Sequence, residues 1–495
     1  MMSLILLLLF LPIFILYFQT QKSKNANKLG PPPPGPPGLP IIGNFHQFDG
    51  QNPYRYLQRL SKQYGPVLSL KFGARKVVVI SKIEAVKEIT RSTDAIFSSR
   101  VSTVAGKRVS YNYQDIGFSA YNDSWRELRK IATFHLLSPS KVQANHIRFR
   151  DELSKMMEKI ARDASASNAI NFRDMAMSLF SNILSSVLFG KTYDDGDRGY
   201  GSDRYIDLLD ETRDVLAAFY FGDFFPRLRW MDSLFGLEAR LEKNFQKFDA
   251  FCQEIIEEHM NPNRPKSMDG DLTDILLKIK ENGSSSFPLT LDHVKAIQND
   301  LSNGGSDSTA TALAWTMTAL MKKPLLMKKL QEEIRGLAGK KDMIDRQDIQ
   351  KLPYLRAVVK EGLRLYPPTP LLVPRETTTN CIVNGCEIEG GSFVITNAYA
   401  IGRDPAVWEN PDEFMPERYL DLQNPELIAF GFGRRGCPGI VMAVAELELS
   451  LANLVYKFNW ELPGGMKEED LDFECEPGHF MHKKNPFLLV PKIAI

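Results

Sequence analysis

Ten residues near the C-terminus, Phe430-Gly431-Phe432-Gly433-Arg434-Arg435-Gly436-Cys437-Pro438-Gly439, constrain this chain more than any other stretch. Glycines at 431, 433, 436 and 439 let the backbone turn tightly and bring amide N–H groups towards the sulfur. Pro438 suits the first turn of a helix expected to run to about Lys457, which sets Cys437 at that helix's positive end. Arg434 and Arg435 add positive charge, which lowers a thiol's pKa. The Arg435 guanidinium also matches the geometry of a carboxylate. A cysteine in this setting is prepared to serve as a thiolate ligand.

Gly431, Gly433 and Gly436 also match the spacing of a dinucleotide-binding loop, with Glu461 downstream as the acidic residue. That reading fails on context. Only residues 462–495 remain for further βα units, and Pro425 with the short Leu427–Phe430 run makes a poor preceding strand. The other cysteines, Cys252, Cys381, Cys386 and Cys475, bring the total to five. Their odd, irregular set makes no disulfide framework and fits a reducing compartment. Cys381 and Cys386 lack the His or Cys pair that would complete a zinc site. A net charge of +1 offers no basic footprint for nucleic acid. A thiolate held in such a loop is suited to ligate a haem iron, where it favours O–O cleavage.

From Met1 to Phe18 the chain carries no charge. Such a run spans about 27 Å as a helix, near the hydrocarbon thickness of the endoplasmic reticulum bilayer. A basic n-region and a small-residue cleavage site are missing, which argues against a cleaved signal. Lys22, Lys24 and Lys28 follow the run and place the body in the cytosol. Residues 1–20 are therefore expected to be a membrane anchor, and 21–44 a basic and proline-rich linker stiffened by Pro31-Pro32-Pro33-Pro34. Residues 45–495 are expected to form one catalytic domain.

Apolar spacing predicts helices near 124–136, 149–162, 172–190, 237–260, 291–322, 324–337 and 354–365. Val67–Phe72 and Lys76–Ser81 read as a hairpin, Asn384-Gly385 as a tight turn and Ser392–Thr396 as a strand. No repeat and no βαβ alternation is evident.

Phe430, Gly433, Arg435, Cys437 and Gly439 occupy every fixed position of the haem-binding signature of the cytochrome P-450 superfamily. The chain resembles that family from Pro36 to its C-terminus, most of all its plant microsomal (A-type) members. The resemblance implies a mainly α fold, the cytochrome P-450 fold, in which a large helical domain with small β-sheets holds haem b. The N-terminal transmembrane helix is added to it. Cys437 would be the iron ligand, with Phe430, Gly433, Arg435 and Gly439 in the haem loop.

Other motifs fall in the family's order. Glu361-Gly362-Leu363-Arg364 puts Glu361 and Arg364 on one helix face. With Arg418 of Pro416-Glu417-Arg418 it resembles the family's structural brace around the haem core. Trp125 and Arg129, four apart on one face, and Arg375 resemble positions that bind haem propionates. Gly304-Gly305-Ser306-Asp307-Ser308-Thr309 resembles the oxygen-activation segment, with Asp307, Ser308 and Thr309 as its proton relay. Two adjacent glycines inside a helix cost about 2 kcal/mol relative to alanines, so a local kink is expected there. Three departures stand out: Ser308 and Gly362 where threonine is common, and Tyr366 where histidine often precedes Pro367-Pro368.

The activity implied is a monooxygenase that inserts one atom of dioxygen into a hydrophobic small molecule, a plant specialised metabolite. Electrons would come from NADPH through a membrane-bound NADPH–cytochrome reductase, with cytochrome b-five as a second candidate donor. Arg126, Lys130 and Arg434 are expected to form the cationic surface for an acidic redox partner. Substrate contacts are expected from Arg100–Phe118, Leu216–Phe221, Ile297–Ser306, Thr369–Val373 and Gly478–Met481. The alternative is a haem–thiolate enzyme that rearranges or dehydrates an oxime or hydroperoxide without a reductase; a non-catalytic haem sensor is a third reading. Asp307 and Ser308 favour the first, because only oxygen activation needs proton delivery.

The topology has a direct check. Asn122-Asp123-Ser124 and Asn282-Gly283-Ser284 are glycosylation sequons, and both should stay bare in a cytosol-facing domain. A mobility shift on endoglycosidase treatment of the membrane-expressed protein would refute that orientation.

Overall fold

The computed structural model describes residues 29–193, 200, 203–339, 341–421 and 427–494. The expected anchor, residues 1–20, and the first part of the linker lie outside them. Among the described residues, no helix is long and apolar enough to cross a membrane.

The helices follow the apolar periodicity closely where burial is extensive. Leu291–Lys322 and Leu237–Met260 form as expected, as do Phe172–Phe189 and Pro353–Leu365 within a residue. Pro53–Tyr64, Arg204–Ala217 and Leu272–Asn282 were not anticipated. The last two carry acidic N-caps, Asp203 and Asp271, each accepting an amide N–H of its own helix. The long Leu291–Lys322 helix runs through the core, and nearly every side chain of Phe172–Phe189 beside it is buried.

Three small sheets flank this helical body. Strands β1 (Val67–Phe72) and β2 (Arg75–Ile80) form a hairpin that pairs Phe72 with Arg75. Its turn is the Gly73-Ala74 pair, with Gly73 at φ 56°, one residue shorter than the expected turn. β3 is Ile170–Asn171, β4 Arg375–Glu376, β5 Cys381–Val383, β6 Cys386–Ile388, β7 Phe393–Thr396, β8 Phe458–Glu461 and β9 Leu488–Ile493. The sheets run β1-β2-β7-β4, β3-β9-β8 and β5-β6. Asn384 and Gly385, at φ 50° and 73°, make the expected tight turn between β5 and β6. β2 and β7 pair in parallel although more than 300 residues apart, a contact that local pattern does not encode.

Helix hydrogen bonding runs unbroken through Gly304-Gly305, from Leu291 to Lys322. Ser308 and Thr309 hydroxyls donate to the Gly304 and Gly305 carbonyl oxygens, each at 2.8 Å. The glycines serve packing and space. A β-carbon at Gly305 would come within 2.8 Å of Leu184 Cδ2 on the neighbouring helix, and one at Gly304 would meet nothing.

Glu361, Arg364 and Arg418 converge as the motif order implied. Arg364 grips both Glu361 oxygens, at 2.7 and 2.8 Å, and Arg418 Nε reaches Oε1 at 3.1 Å. Glu361 also accepts the Met415 amide, while Arg364 donates to the carbonyls of Gly402, Pro411 and Glu413. With Glu361 fully buried, such a cluster is tolerable only because its hydrogen bonds are made. It ties the Pro353–Leu365 helix to the 402–418 segment ahead of the cysteine loop.

Gly362, the departure beside Glu361, has a packing cause. A β-carbon there would collide with the Thr316 hydroxyl of the central helix. Gly362→Ala should therefore destabilise the fold by about 1–3 kcal/mol, despite alanine's better helix propensity. Thr316→Ala in the same chain should recover most of the loss, as read by chemical denaturation.

Candidate functional site

Cys437 sits in a loop whose turns demand glycine. Gly431 and Gly433 adopt φ 71° and 59°. A β-carbon on Gly433 would strike the Asp94 carboxylate, which accepts from the Arg434 amide and guanidinium at 3.1 and 3.0 Å. The Cys437 amide donates to the Phe430 carbonyl at 2.7 Å and closes the loop. The following helix begins at Ile440, with Gly439 as its N-cap, rather than at Pro438. The amides of Gly439 and Ile440 point at the sulfur, and the Gly439 position keeps the space beside it free.

The charge compensation differs from the expected one. Arg434 turns outwards to Asp94. Arg435 donates to the carbonyls of Ser98, Ile116 and Ser119. The cation near the thiol is Arg129, which also donates to the Gly436 carbonyl at 2.6 Å. Burial nevertheless pushes the Cys437 thiol up from its ordinary value, against the pull of the two amides and Arg129. The loop alone does not ionise the sulfur. Coordination to a metal does, because a bound thiol gives up its proton.

Cys437 opens into a cavity of about 1680 Å³ of atom-free space, mouth included. Four guanidiniums face it: Arg100, Arg129, Arg375 and Arg435. Arg375 is carried there by β4 and Arg129 by the helix Asp123–Ala132. Burial and mutual repulsion drive Arg435 down to about 8, although Asp115 opposes the shift. Burial, then Arg100, takes Arg375 down to about 9. Burial likewise pulls Arg100 down to about 10, with Arg129 adding repulsion against Asp115 and Asp300. Arg375 Nη1 is buried and has no hydrogen-bond acceptor. Asp300 and Asp115 stand nearby, but burial raises both carboxyls and weakens them as counter-charges.

A cavity with a thiol on one wall and clustered, under-satisfied guanidiniums beside it suits a metal-bearing dianion. Haem b, with iron for Cys437 and two propionates for the arginines, fits it. Sequence reasoning assigned Arg100 only to a substrate segment; nothing local marks it as part of the cationic cluster. Trp125 stands one layer back. Its indole N–H donates to the Ile116 carbonyl at 3.0 Å, and its ring lies 4.1 Å beneath the Arg435 guanidinium. A buried indole N–H takes an acceptor within reach, here a carbonyl that Arg435 also binds.

Ser308 and Thr309 line the cavity. Asp307 does not: it faces the other side of the helix, 2.8 and 2.9 Å from His482 Nε2. Arg213 and Arg173 lie 3.7 and 4.0 Å from its oxygens. Burial works to raise its pKa, but these three partners outweigh it and hold the carboxylate at about 2. His482, Arg213 and Arg173 were missed, since they lie far from Asp307 in sequence and carry no motif.

Four of the five expected substrate segments reach the cavity, through Ile116, Leu301, Leu372, Val373 and Phe480 among others. Leu216–Phe221 does not. Phe219 stacks on Phe224 and Phe221 on Phe235, while the Leu216 carbonyl faces His479 at 3.0 Å. The expected cationic surface is partly neutralised by local pairs, Arg126 with Asp123 and Lys130 with Glu127.

Arg375→Leu should weaken haem retention about 10- to 100-fold, the scale of one charge-assisted hydrogen bond. It should leave the haem-free fold no less stable, because one of four crowded cations is gone. Haem transfer to an apoglobin scavenger and denaturation of the haem-free chain read the two effects separately.

The comparisons with known proteins agree with this site. The model of the family described as Cytochrome P450 matches residues 33–490. The chain is 43% identical to 6,7,8-trihydroxycoumarin synthase of Pastinaca sativa, covering 98% of both chains. It is 41% identical to 5-OH-xanthotoxin synthase of Ammi majus over 99% of this chain and 98% of the other. Phenylacetaldehyde oxime monooxygenase of Prunus mume is 39% identical over 98% and 94% of the two chains. The chain belongs to the cytochrome P450 family, an oxidoreductase family that uses haem b with electrons from NADPH supplied through a reductase.

Proposed function

We propose that this member of the cytochrome P450 family is a membrane-anchored monooxygenase that hydroxylates a planar, apolar plant metabolite. The observation that carries the reading is the cavity itself, with Cys437 on one wall, Ser308 and Thr309 on another and an apolar lining between them. The residues that would hold the haem are Cys437 at the iron and Arg100, Arg129, Arg375 and Arg435 at the propionates. Bound there, it supplies reductive activation of dioxygen. Leu301, Leu372, Val373 and Phe480 exclude water and hold an apolar ring system near that centre. Ser308 and Thr309 present hydroxyls to the cavity that accept and pass on protons, having a second acceptor in the helix carbonyls. Asp307, buried behind them with His482, holds the local charge constant from that side.

The relatives' names point to coumarin-type rings as the first substrates to test, and to an arylacetaldoxime as the second. An NADPH–cytochrome reductase is the electron donor proposed. Membrane attachment is supported by surface beyond the apolar N-terminus. Leu39, Ile41 and Ile42 of the hinge are exposed, as are Phe219, Trp230, Leu234 and Phe235. Phe45 joins the two groups, its ring 5.7 Å from Phe219 and 5.8 Å from Phe225.

Microsomes containing the chain and a reductase should convert a coumarin or furanocoumarin to a hydroxylated product. That product should require NADPH and carry one atom of labelled dioxygen. Turnover of an oxime or hydroperoxide without NADPH would contradict the proposal. Ser308→Ala should retain haem but raise peroxide release per NADPH several-fold; unchanged coupling would remove Ser308 from proton transfer.

A further inference from the structure

Glu446 lies on the helix Ile440–Lys457, beyond the cysteine loop, and no step above uses it. It is 8% exposed, and among the described residues it makes neither hydrogen bond nor ion pair. Its position is unusual in a second way. It lines the cavity that holds Cys437, and together with Met442 it also lines a neighbouring cleft of about 1320 Å³ of atom-free space. One side chain thus belongs to both the cofactor cavity and a solvent-open cleft.

The charged groups around it leave it uncompensated. On the cleft side stand His146, Arg346, Arg356 and, on its own helix, Glu448. Arg356 is turned to Glu448 at 3.8 Å, and burial lowers the His146 pKa, with Arg346 and Arg150 adding to the shift. On the cavity side Arg100, Arg129, Arg375, Arg435, Asp300 and the Cys437 thiol share the lining, the charged groups each with other partners. The adjoining helix Phe172–Phe189 presents Ile183, Leu184 and Val187, none of them charged. Burial alone acts on Glu446 and pushes its carboxyl up to about 8.

We propose that Glu446 is a redox-linked proton acceptor of the haem site, exchanging its proton with solvent through the cleft lined by His146 and Arg346. The inference rests on the haem-thiolate reading of Cys437. An electron added to the cofactor makes the cavity more negative, which favours the protonated carboxyl. By linkage, the proton in turn favours reduction. Above about pH 8, where the oxidised protein holds Glu446 as a carboxylate, the cofactor gains one electron in the coupled step, the carboxylate takes one proton from solvent, and no other bond changes.

The sign follows from the acidity. Below about pH 8 Glu446 is protonated in both redox states, so the midpoint potential is flat. Above it, the oxidised protein loses the proton and the reduced protein keeps it, so the potential falls as pH rises. Spectroelectrochemical titration of the haem-loaded protein from pH 6.5 to 9.5 should show this bend. Glu446→Gln should abolish it and leave the low-pH potential in place. A flat wild-type profile, or an unchanged bend in Glu446→Gln, overturns the proposal. Should the variant fail to hold haem, the wild-type protein labelled with 13C at glutamate carboxyls decides. Its reduced-minus-oxidised infrared spectrum above pH 8 should show gain of a protonated carboxyl band, and absence of that band overturns the proposal. Failure of the chain to form a thiolate-ligated haem at all would strike the reading beneath it instead.

Discussion

Four guanidiniums round one cavity, two of them buried and two half-buried, are the constraint on which the rest of this structure depends. Buried charge without a counter-charge is among the most costly things a fold can hold. Here Arg100, Arg375 and Arg435 are already driven towards deprotonation by burial and by one another. Asp94, Asp115 and Asp300 offset them only in part, and burial raises the carboxyls of the last two. The fold is thus completed by a dianionic ligand, and the thiol on the same wall selects one that carries iron. Binding energy of that kind adds directly to the stability of the folded state.

The scaffold around the cavity separates structural charge from working charge. Glu361, Arg364 and Arg418 are buried and saturated with hydrogen bonds, so they have no capacity left for chemistry. Asp307 is likewise locked, by His482 and two arginines. The hydroxyls of Ser308 and Thr309, and the carboxyl of Glu446, are the groups proposed here to exchange protons. They lie on different walls of the cavity. The central helix supplies one wall and the helix after the cysteine loop another, and the central helix is held by packing that glycines at 305 and 362 permit.

Much of this was legible in the residues. Long amphipathic helices declared themselves by period, since burial of one face is a local pattern. The cysteine loop did so by glycine spacing, because only glycine occupies φ near 60° beside Asp94. The Glu361–Arg364 pair was readable from helix geometry alone. What escaped was set by contacts distant in sequence. The direction of Asp307 depends on His482, 175 residues away. The role of Arg100 depends on three arginines brought in by a strand, a helix and a loop. The packing need for Gly305 was hidden for a related reason: it answers to Leu184 on another helix. Arg434 and Arg435 were assigned to the thiol by adjacency, yet tertiary acceptors claimed both.

The central claim is that Cys437 ligates a haem iron as a thiolate. Its most direct test is the absorption spectrum of the reduced, carbon monoxide-bound protein in membranes, beside that of Cys437→Ser. The wild-type protein should show the strongly red-shifted Soret band of a thiolate-ligated haem, and Cys437→Ser should lose it. A wild-type band at the position typical of imidazole-ligated haem, or a red-shifted band that survives in Cys437→Ser, would contradict the account.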